Sequence, residues 1–190
     1  MNTATDGSII LFPLASGVPD AQSIVAWLNT LTGANDGPLT SEAVAAGAPW
    51  GMNPDVRAYA EMLLPRNLRD NDLEGIADAA LAFVKDNLAY VPDPLDTEYV
   101  KSPLVMLHNI VHKGRDFGDC DDHCVLLASI LRTLGIDARI VGVRERSDSE
   151  WFDHVIVLAS LYGGGPYKFM DPCAKGVAQP DYSRREIMFA

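Results

Sequence analysis

The sequence is short of basic residues, of cysteine and of long apolar runs. Its 190 residues include 15 Lys and Arg against 26 Asp and Glu, so the formal net charge is −11. A chain of this charge repels phosphate backbones, which argues against nucleic acid as a partner. The longest apolar runs, such as "VIVLA", fall far short of the roughly 18 to 20 residues that span a bilayer, so no membrane partner is expected.

Cysteine occurs only three times, an odd number that argues against a disulfide framework and favours reduced thiols. The first residues, "MNTATDGSIILFPLASG", have neither the basic segment nor the clean apolar segment of a secretory signal. We therefore predict a cytoplasmic protein. With 48% hydrophobic residues, a chain of this length can bury a substantial core as one globular domain without disulfides or metals.

Apolar residues at helical spacing predict three helices in the middle of the chain. The first covers about 72–89. The second starts at the Ser102–Pro103 pair, which is typical of an N-cap and first helical residue, and ends at Gly114. The third covers about 120–134 and carries the cysteine-rich stretch "GDCDDHC" at its start.

Three β-rich segments follow the helices, and the second and third read as a hairpin. The segments are 138–144, 154–162 and 167–170, and the last two are joined by the turn sequence "GGGP". A turn centred near residues 163 and 164 places His154 opposite residue 173. Asp171 then lies on the same face, diagonally across from His154 and within reach of it.

The first third of the chain is less regular. A short strand is predicted at Ser8–Leu11 and a helix near Ala21–Leu31, followed by a region rich in Gly, Pro, Asn and Ala. We predict that residues 1–70 form an N-terminal lobe or extension of unknown role, and that residues 71–190 form the core. The apolar face of the predicted helix favours a lobe that folds onto the core.

The stretch "GDCDDHC" (118–124) places Cys120 in the first turn of the third helix. A helix N-terminus stabilises a thiolate through its partial positive charge and its free N–H groups. A thiol nucleophile also needs an imidazole as base and a carboxylate that orients the imidazole. His154 and Asp171, brought together by the predicted hairpin, fit these two roles.

Other interpretations of the same residues are open at this level. A Cys in a first helical turn, a His at a strand start and an Asp before Pro are each more often structural than catalytic. Zinc could take Cys120, His123 and Cys124 from one helix face, with Cys173 or His154 as fourth ligand.

A calcium site formed by the carboxylates of "GDCDDHC" is a weaker interpretation. Asp119, Asp121 and Asp122 lack the spacing and the closing Glu of an EF-hand loop. Helix capping and compensation of the helix dipole are sufficient to explain them.

Three separated motifs resemble the core of the transglutaminase-like cysteine enzymes. They are "GDCDDHCVLLASILRTLGIDARIVGV", then "DHVIVLA", then "YKFMDP", in the order found in that family. The upstream segment "NLAYVPDPLDTEYVKSP" is similar to the one that precedes the Cys helix, particularly in phage and prophage members. The resemblance covers about residues 72–172.

This resemblance implies an α+β fold of papain-like, transglutaminase-like type. The helical part would carry the Cys and pack on an antiparallel β-sheet that carries the His and the Asp. It further implies Cys120 as nucleophile, His154 as base and Asp171 as orienting acid. The expected activity is acyl transfer on a peptide or amide through a thioester, most often ending in hydrolysis, with a peptide or protein substrate and with no cofactor or metal.

The sequence departs from the family at the side chain that completes the oxyanion hole. Family members and their papain relatives often supply a Trp or Gln from upstream of the Cys, but here the nearest are Trp50 and Gln22. Tyr90, His108 and Asn109 are the candidates to replace it.

The competing class is a non-catalytic structural or assembly protein of a phage particle that keeps the fold. Its partners would be phage structural proteins, and its location would be the virion.

Overall fold

A computed structural model describes residues 9–11, 20–65, 71–93, 99–144, 152, 154–163, 165–174 and 187–189 of the chain. Ser8, at the edge of a predicted strand, and Gly164, in the predicted hairpin turn, lie outside these residues. In the described part, most helices precede the strands of the main sheet in a mixed α and β architecture, as the sequence predicts.

The three predicted central helices are confirmed to within two residues at each end, and a helix at Ala21–Thr32 matches the predicted N-terminal helix. Two further helices were not predicted, because they are short and lie in the region rich in Gly and Pro. Their caps were visible in the sequence: the side chains of Thr40 and Asn53 accept backbone N–H groups of the first turns, and Pro54 opens the second of them. The helices are α1 (Ala21–Thr32), α2 (Ser41–Ala45), α3 (Pro54–Leu63), α4 (Leu73–Asn87), α5 (Pro103–Lys113) and α6 (Cys120–Thr133).

The strands form one four-stranded antiparallel sheet and two short pairs. The strands are β1 (Ile9–Leu11), β2 (Leu88–Tyr90), β3 (Tyr99–Lys101), β4 (Asp116–Gly118), β5 (Asp137–Val143), β6 (His154–Ser160), β7 (Tyr167–Met170) and β8 (Ile187–Met188). The four-stranded sheet has the order β7-β6-β5-β8, β1 pairs with β3 antiparallel, and β2 pairs with β4 in parallel.

The β6–β7 hairpin has the predicted register. Ser160 pairs with Tyr167 and Val157 pairs with Met170, so the turn is centred between residues 163 and 164. Continued outward, this register places position 154 opposite position 173. The strand ends that carry His154 and Asp171 therefore lie side by side at the open end of the hairpin.

Helix α6 is the centre of the core. Every residue from Asp121 to Leu131 is buried, because α6 is covered by the sheet on one side and by other helices around the rest of its circumference. This explains why its sequence is apolar nearly all round instead of showing one apolar stripe. In the described part of the chain, no helix combines the length and the apolar character needed to cross a bilayer.

Helix α1 is joined to the sheet by a buried side chain. The Asn29 amide donates to the carbonyl of Ile140 on β5 and accepts the N–H of the same residue, each at 2.8 Å. Trp27, Leu28 and Trp50 belong to the same hydrophobic cluster as the residues of α4 and α6. The described residues before position 65 thus share one core with the later elements.

Candidate active site

Cys120 is the first residue of α6 and follows the short strand β4 in the chain, with Asp119 between them. The Asp119 side chain caps the helix by accepting the Asp121 N–H at 3.2 Å. The first N–H groups of a helix have no partner within it, so Cys120 lies where backbone donors and the positive end of the helix dipole are available. The thiol is half-buried.

The hairpin brings His154 and Asp171 together. His154 opens β6, Asp171 follows the last residue of β7, and Nε2 of His154 lies 3.2 Å from Oδ2 of Asp171. Their side chains are only 9% and 2% exposed. The other oxygen of Asp171, Oδ1, accepts the N–H groups of Cys173 at 2.8 Å and Ala174 at 3.1 Å, so the turn after β7 fixes the carboxylate.

Cys120 lies close enough to His154 to act on its pKa, and both line one cleft, so the three residues form one cluster. Burial by itself would lower the pKa of His154, but hydrogen bonds and charge from Asp171 and Cys120 outweigh it and raise that pKa to about 10. The imidazole is therefore held in its protonated form across the neutral range. A cation beside the sulfur stabilises negative charge on it.

A cleft of about 210 Å³ opens beside this cluster. Asp119, Cys120 and His154 lie along it, together with residues of α1, β5 and β8. Both the nucleophile and the imidazole are thus accessible from one cavity that could receive a substrate.

The other two cysteines have different surroundings. Cys124 is fully buried, its Sγ donates to the carbonyl of Val155 at 3.3 Å, and burial raises the pKa of its thiol well above the usual value. Cys173 is half-buried in the turn that Asp171 fixes. Neither lies at a helix N-terminus.

The zinc set considered from the sequence is not assembled as ligands. The ring nitrogens of His123 face backbone carbonyls, with Nδ1 at 2.6 Å from Asp119 O and Nε2 at 3.2 Å from Leu88 O. Among the described residues, the one group of at least three potential ligand side chains within 4.8 Å of one another is Asp119, Asp121 and Asp122. Those of Asp119 and Asp121 serve as acceptors for backbone N–H groups in the first turn of α6.

Two residues beside Cys120 have positioning contacts that were not predicted. His123 connects α6 to β2 through the carbonyl of Leu88. The buried Asp122 connects α6 to β3 by accepting the N–H of Lys101 at 2.7 Å, and burial raises its pKa to about 7. Both belong to "GDCDDHC", but their partners are distant in sequence, so spacing alone could not identify them.

Of the three candidate oxyanion donors, only Tyr90 lies at the cluster. The β2–β4 register pairs it with Gly118, and its ring centroid is 6.2 Å from that of His123. Burial, followed by the charges of Cys120, Asp119 and other groups, raises the pKa of Tyr90 to about 12. The phenol therefore stays protonated, as a donor must.

The other two candidates, and the upstream Trp50, have partners away from the cluster. Asn109 donates to the buried Asp116 at 3.1 Å, and the His108 ring packs against His112 with 4.2 Å between centroids. Trp50 is fully buried and donates to Ala46 O.

Comparison with known families agrees with this geometry. The model of the transglutaminase-like superfamily matches residues 51–172, more than half of the chain. The chain belongs to the transglutaminase-like superfamily. The match includes the cysteine, the histidine and the aspartate of the cluster, and begins earlier than the resemblance seen in the sequence motifs.

One solved structure shares the fold, a crystal structure of "a putative protease" from Parabacteroides distasonis. It superposes with a TM-score of 0.50 at 14% identity over 80% of this chain, and this chain spans 26% of that protein's length. A search of curated proteins finds no match. The similarity to phage and prophage members stays a prediction.

Proposed function

We propose that this member of the superfamily is a papain-like cysteine peptidase or amidase, with Cys120 as nucleophile, His154 as acid and base, and Asp171 as the residue that orients the imidazole. The observation that carries the proposal is the cluster itself. A half-buried thiol at a helix N-terminus and a histidine beside it line one cleft, and a carboxylate lies 3.2 Å from that histidine.

The proposed reaction has two steps. The Cys120 sulfur attacks the carbonyl carbon of a peptide or amide, and His154 donates its proton to the departing amine, which leaves a thioester. A water then attacks the thioester, the neutral imidazole takes its proton, and the acid is released with the thiol regenerated. An amine in place of water would give cross-linking by the same first step.

Two donors are suited to the oxyanion that forms in each step. The backbone N–H of Cys120, at the first position of α6, has no partner within the helix. The Tyr90 hydroxyl is the second, supported by its place beside Gly118 and by the high pKa that keeps it protonated. Hydrolysis is favoured as the final step by the likeness in fold to a protein described as a putative protease.

Thiol labelling tests the proposal directly. With limiting iodoacetamide at neutral pH, we expect Cys120 to be alkylated about 100-fold faster than Cys173, because Cys120 opens helix α6 whereas Cys173 lies in the turn after β7. Peptide mapping by mass spectrometry reads both sites in one sample. Cys173 is the internal control, since it is also half-buried.

Equal labelling of Cys120 and Cys173 would contradict the proposal and favour the non-catalytic phage component. Release of amine from a mixture of peptides, lost in Cys120→Ala, is the second readout. An active Cys120 without amine release from any peptide would restrict the substrate to another amide or acyl donor.

Tyr90→Phe removes only the phenolic oxygen. If that hydroxyl stabilises the oxyanion, the rate of peptide hydrolysis is expected to fall about 10²-fold. Alkylation of Cys120 by iodoacetamide forms no oxyanion and should change little, so the two rates measured together separate an oxyanion donor from a residue that only packs. Tyr162→Phe, at an exposed site, is the control.

A further inference from the structure

The cleft beside Cys120 has one predominantly apolar wall. Ile24 and Val25 contribute to it from α1, Val155 from β6 and Met188 from β8, with Phe152 completing the surface. From this wall we propose that the cleft is a specificity pocket for one uncharged apolar side chain of the acyl donor. The proposal rests on the proposed function, since it assigns the substrate of that same site.

Three of the five residues of the apolar wall, Ile24, Val25 and Met188, lie outside the range that the family model matches, while Phe152 and Val155 lie inside it. The family model matches residues 51–172, while α1 precedes that range and Met188 follows it. The matched range therefore contains the cluster, and segments outside that range contribute Ile24, Val25 and Met188 to the surface next to it. Such an arrangement separates the shared chemistry from the choice of substrate.

The wall is fixed in place. Helix α1 is held on β5 by the paired hydrogen bonds between Asn29 and Ile140, and Val25 is fully buried. Met188 packs where β5 has a glycine: a Cβ on Gly142 would lie 2.8 Å from Cε of Met188. The pocket is thus preformed, which lowers the entropic cost of binding.

The volume of the cleft sets the size of the occupant. At about 210 Å³ it has room for about seven waters. An apolar cavity of about 150 Å³ is known to hold a benzene molecule. One leucine-sized or phenylalanine-sized side chain fits in this volume.

The charges at the cleft exclude an acidic side chain. Among the described residues that line it, the only charged side chains besides His154 are the carboxylates of Asp119 and Asp121. Each accepts a backbone N–H of the α6 first turn, Asp119 from Asp121 and Asp121 from Asp122. A carboxylate in the pocket would meet the like charges of Asp119 and Asp121, which oppose its attraction to the protonated His154, while an aliphatic side chain would bury apolar surface against the wall.

Binding to the Cys120→Ala protein tests the pocket without requiring catalysis. The probes are N-acetyl-leucinamide, N-acetyl-lysinamide and the α-amide of N-acetyl-glutamate, each titrated while the methyl resonances of Ile24 and Met188 are followed by NMR. We expect the leucine compound to bind about tenfold more tightly than either charged compound. The shifts should be confined to residues that line the cleft.

A matched pair of variants adds bulk inside and outside the pocket. Ala21, the first residue of α1, lines the cleft, while Ala45 on α2 is exposed and distant from it in the chain. In the Cys120→Ala background, Ala21→Leu is expected to weaken binding of the leucine compound about tenfold, and Ala45→Leu to leave it unchanged. The melting temperature of each variant shows whether the fold is retained.

Each outcome decides one of the two proposals. Tighter binding of the lysine or glutamate compound, or equal binding of all three, would overturn the apolar pocket, even if Cys120 labels rapidly in the parent protein. Selective binding of the leucine compound to the Cys120→Ala protein, together with labelling of Cys120 no faster than Cys173 in the parent protein, would keep the pocket and overturn the enzyme.

Discussion

His154→Gln is expected to slow peptide hydrolysis by about 10⁴-fold or more, because the imidazole both supports charge on the sulfur and transfers the proton to the departing amine. Alkylation of Cys120 at neutral pH should also fall, since the cation that adjoins the sulfur is lost. The Gln side chain neither gains nor loses a proton near neutral pH, so it cannot take over either role. Hydrolysis and alkylation rates measured on one variant show both effects.

The chain offers a close control for this substitution. His108 and His112 are exposed histidines on α5, and the neighbouring Asn109 engages Asp116, away from the cluster. His108→Gln should leave both rates and the melting temperature nearly unchanged. If His154→Gln left the alkylation of Cys120 at the parent rate, His154 would not be the base of a cysteine enzyme.

The geometry of the cluster was predictable because two local rules fixed it. The N-cap at Asp119 placed Cys120 in the first turn of α6, and the hairpin turn set the register that brings His154 to Asp171. Each rule depends on a short stretch of sequence and on a fixed periodicity. The roles of the three residues go beyond this geometry and depend on the labelling and rate measurements.

The surroundings of the cluster were not predictable in the same way. Strands β2 and β4 have three residues each, and they pair in parallel although α5 lies between them in the chain. Such short strands show no alternation of apolar and polar residues that would identify them in the sequence. This pair places Tyr90 beside Gly118, and it therefore brings one of the three candidate donors left open by the sequence to the cluster. The contacts of His123 and Asp122 depend on the same long-range pairing.

The contribution of α1 to the cleft was equally hidden. The sequence indicated an apolar helical face but not what it covers, since the partner residue of Asn29 is more than a hundred positions away. A buried Asn on an apolar helix face is a usable signal, because a buried amide requires partners. It does not identify which strand supplies them.

Asp171→Asn is expected to reduce peptide hydrolysis by about 10⁴-fold, as the same change does in a serine-protease triad. The reason lies in the contacts of the two oxygens. Oδ1 accepts the N–H groups of Cys173 and Ala174, so the amide oxygen of Asn should keep that place. The Asn NH₂ would then face Nε2 of His154, where Oδ2 stands now, and would meet the Nε2–H donor of the imidazolium instead of accepting from it.

The same variant changes how stability depends on pH. The folded-state pKa of His154 is about 10, above the ordinary value of 6.5, so the folded protein retains a proton that the unfolded chain releases. This stabilisation is fully present below pH 6.5 and is lost as the pH rises from 6.5 towards 10, at about 1.4 kcal/mol for each unit of difference. Without the Asp171 charge, one of the two groups that raise the pKa of His154 against burial is lost, so this pKa should fall and the loss of stability across this window should shrink.

Urea unfolding of parent and Asp171→Asn proteins at several pH values between 6 and 10, with Cys120 alkylation on the same samples, tests both effects. Asp78→Asn is the control, because Asp78 pairs with Lys168 of β7 at 2.7 Å but is exposed. If Asp171 only supports the turn, the variant should have a lower melting temperature, but the rate of Cys120 alkylation and the slope of unfolding free energy against pH should not change. Slower alkylation together with a flatter pH dependence is the result that only a carboxylate acting through His154 explains.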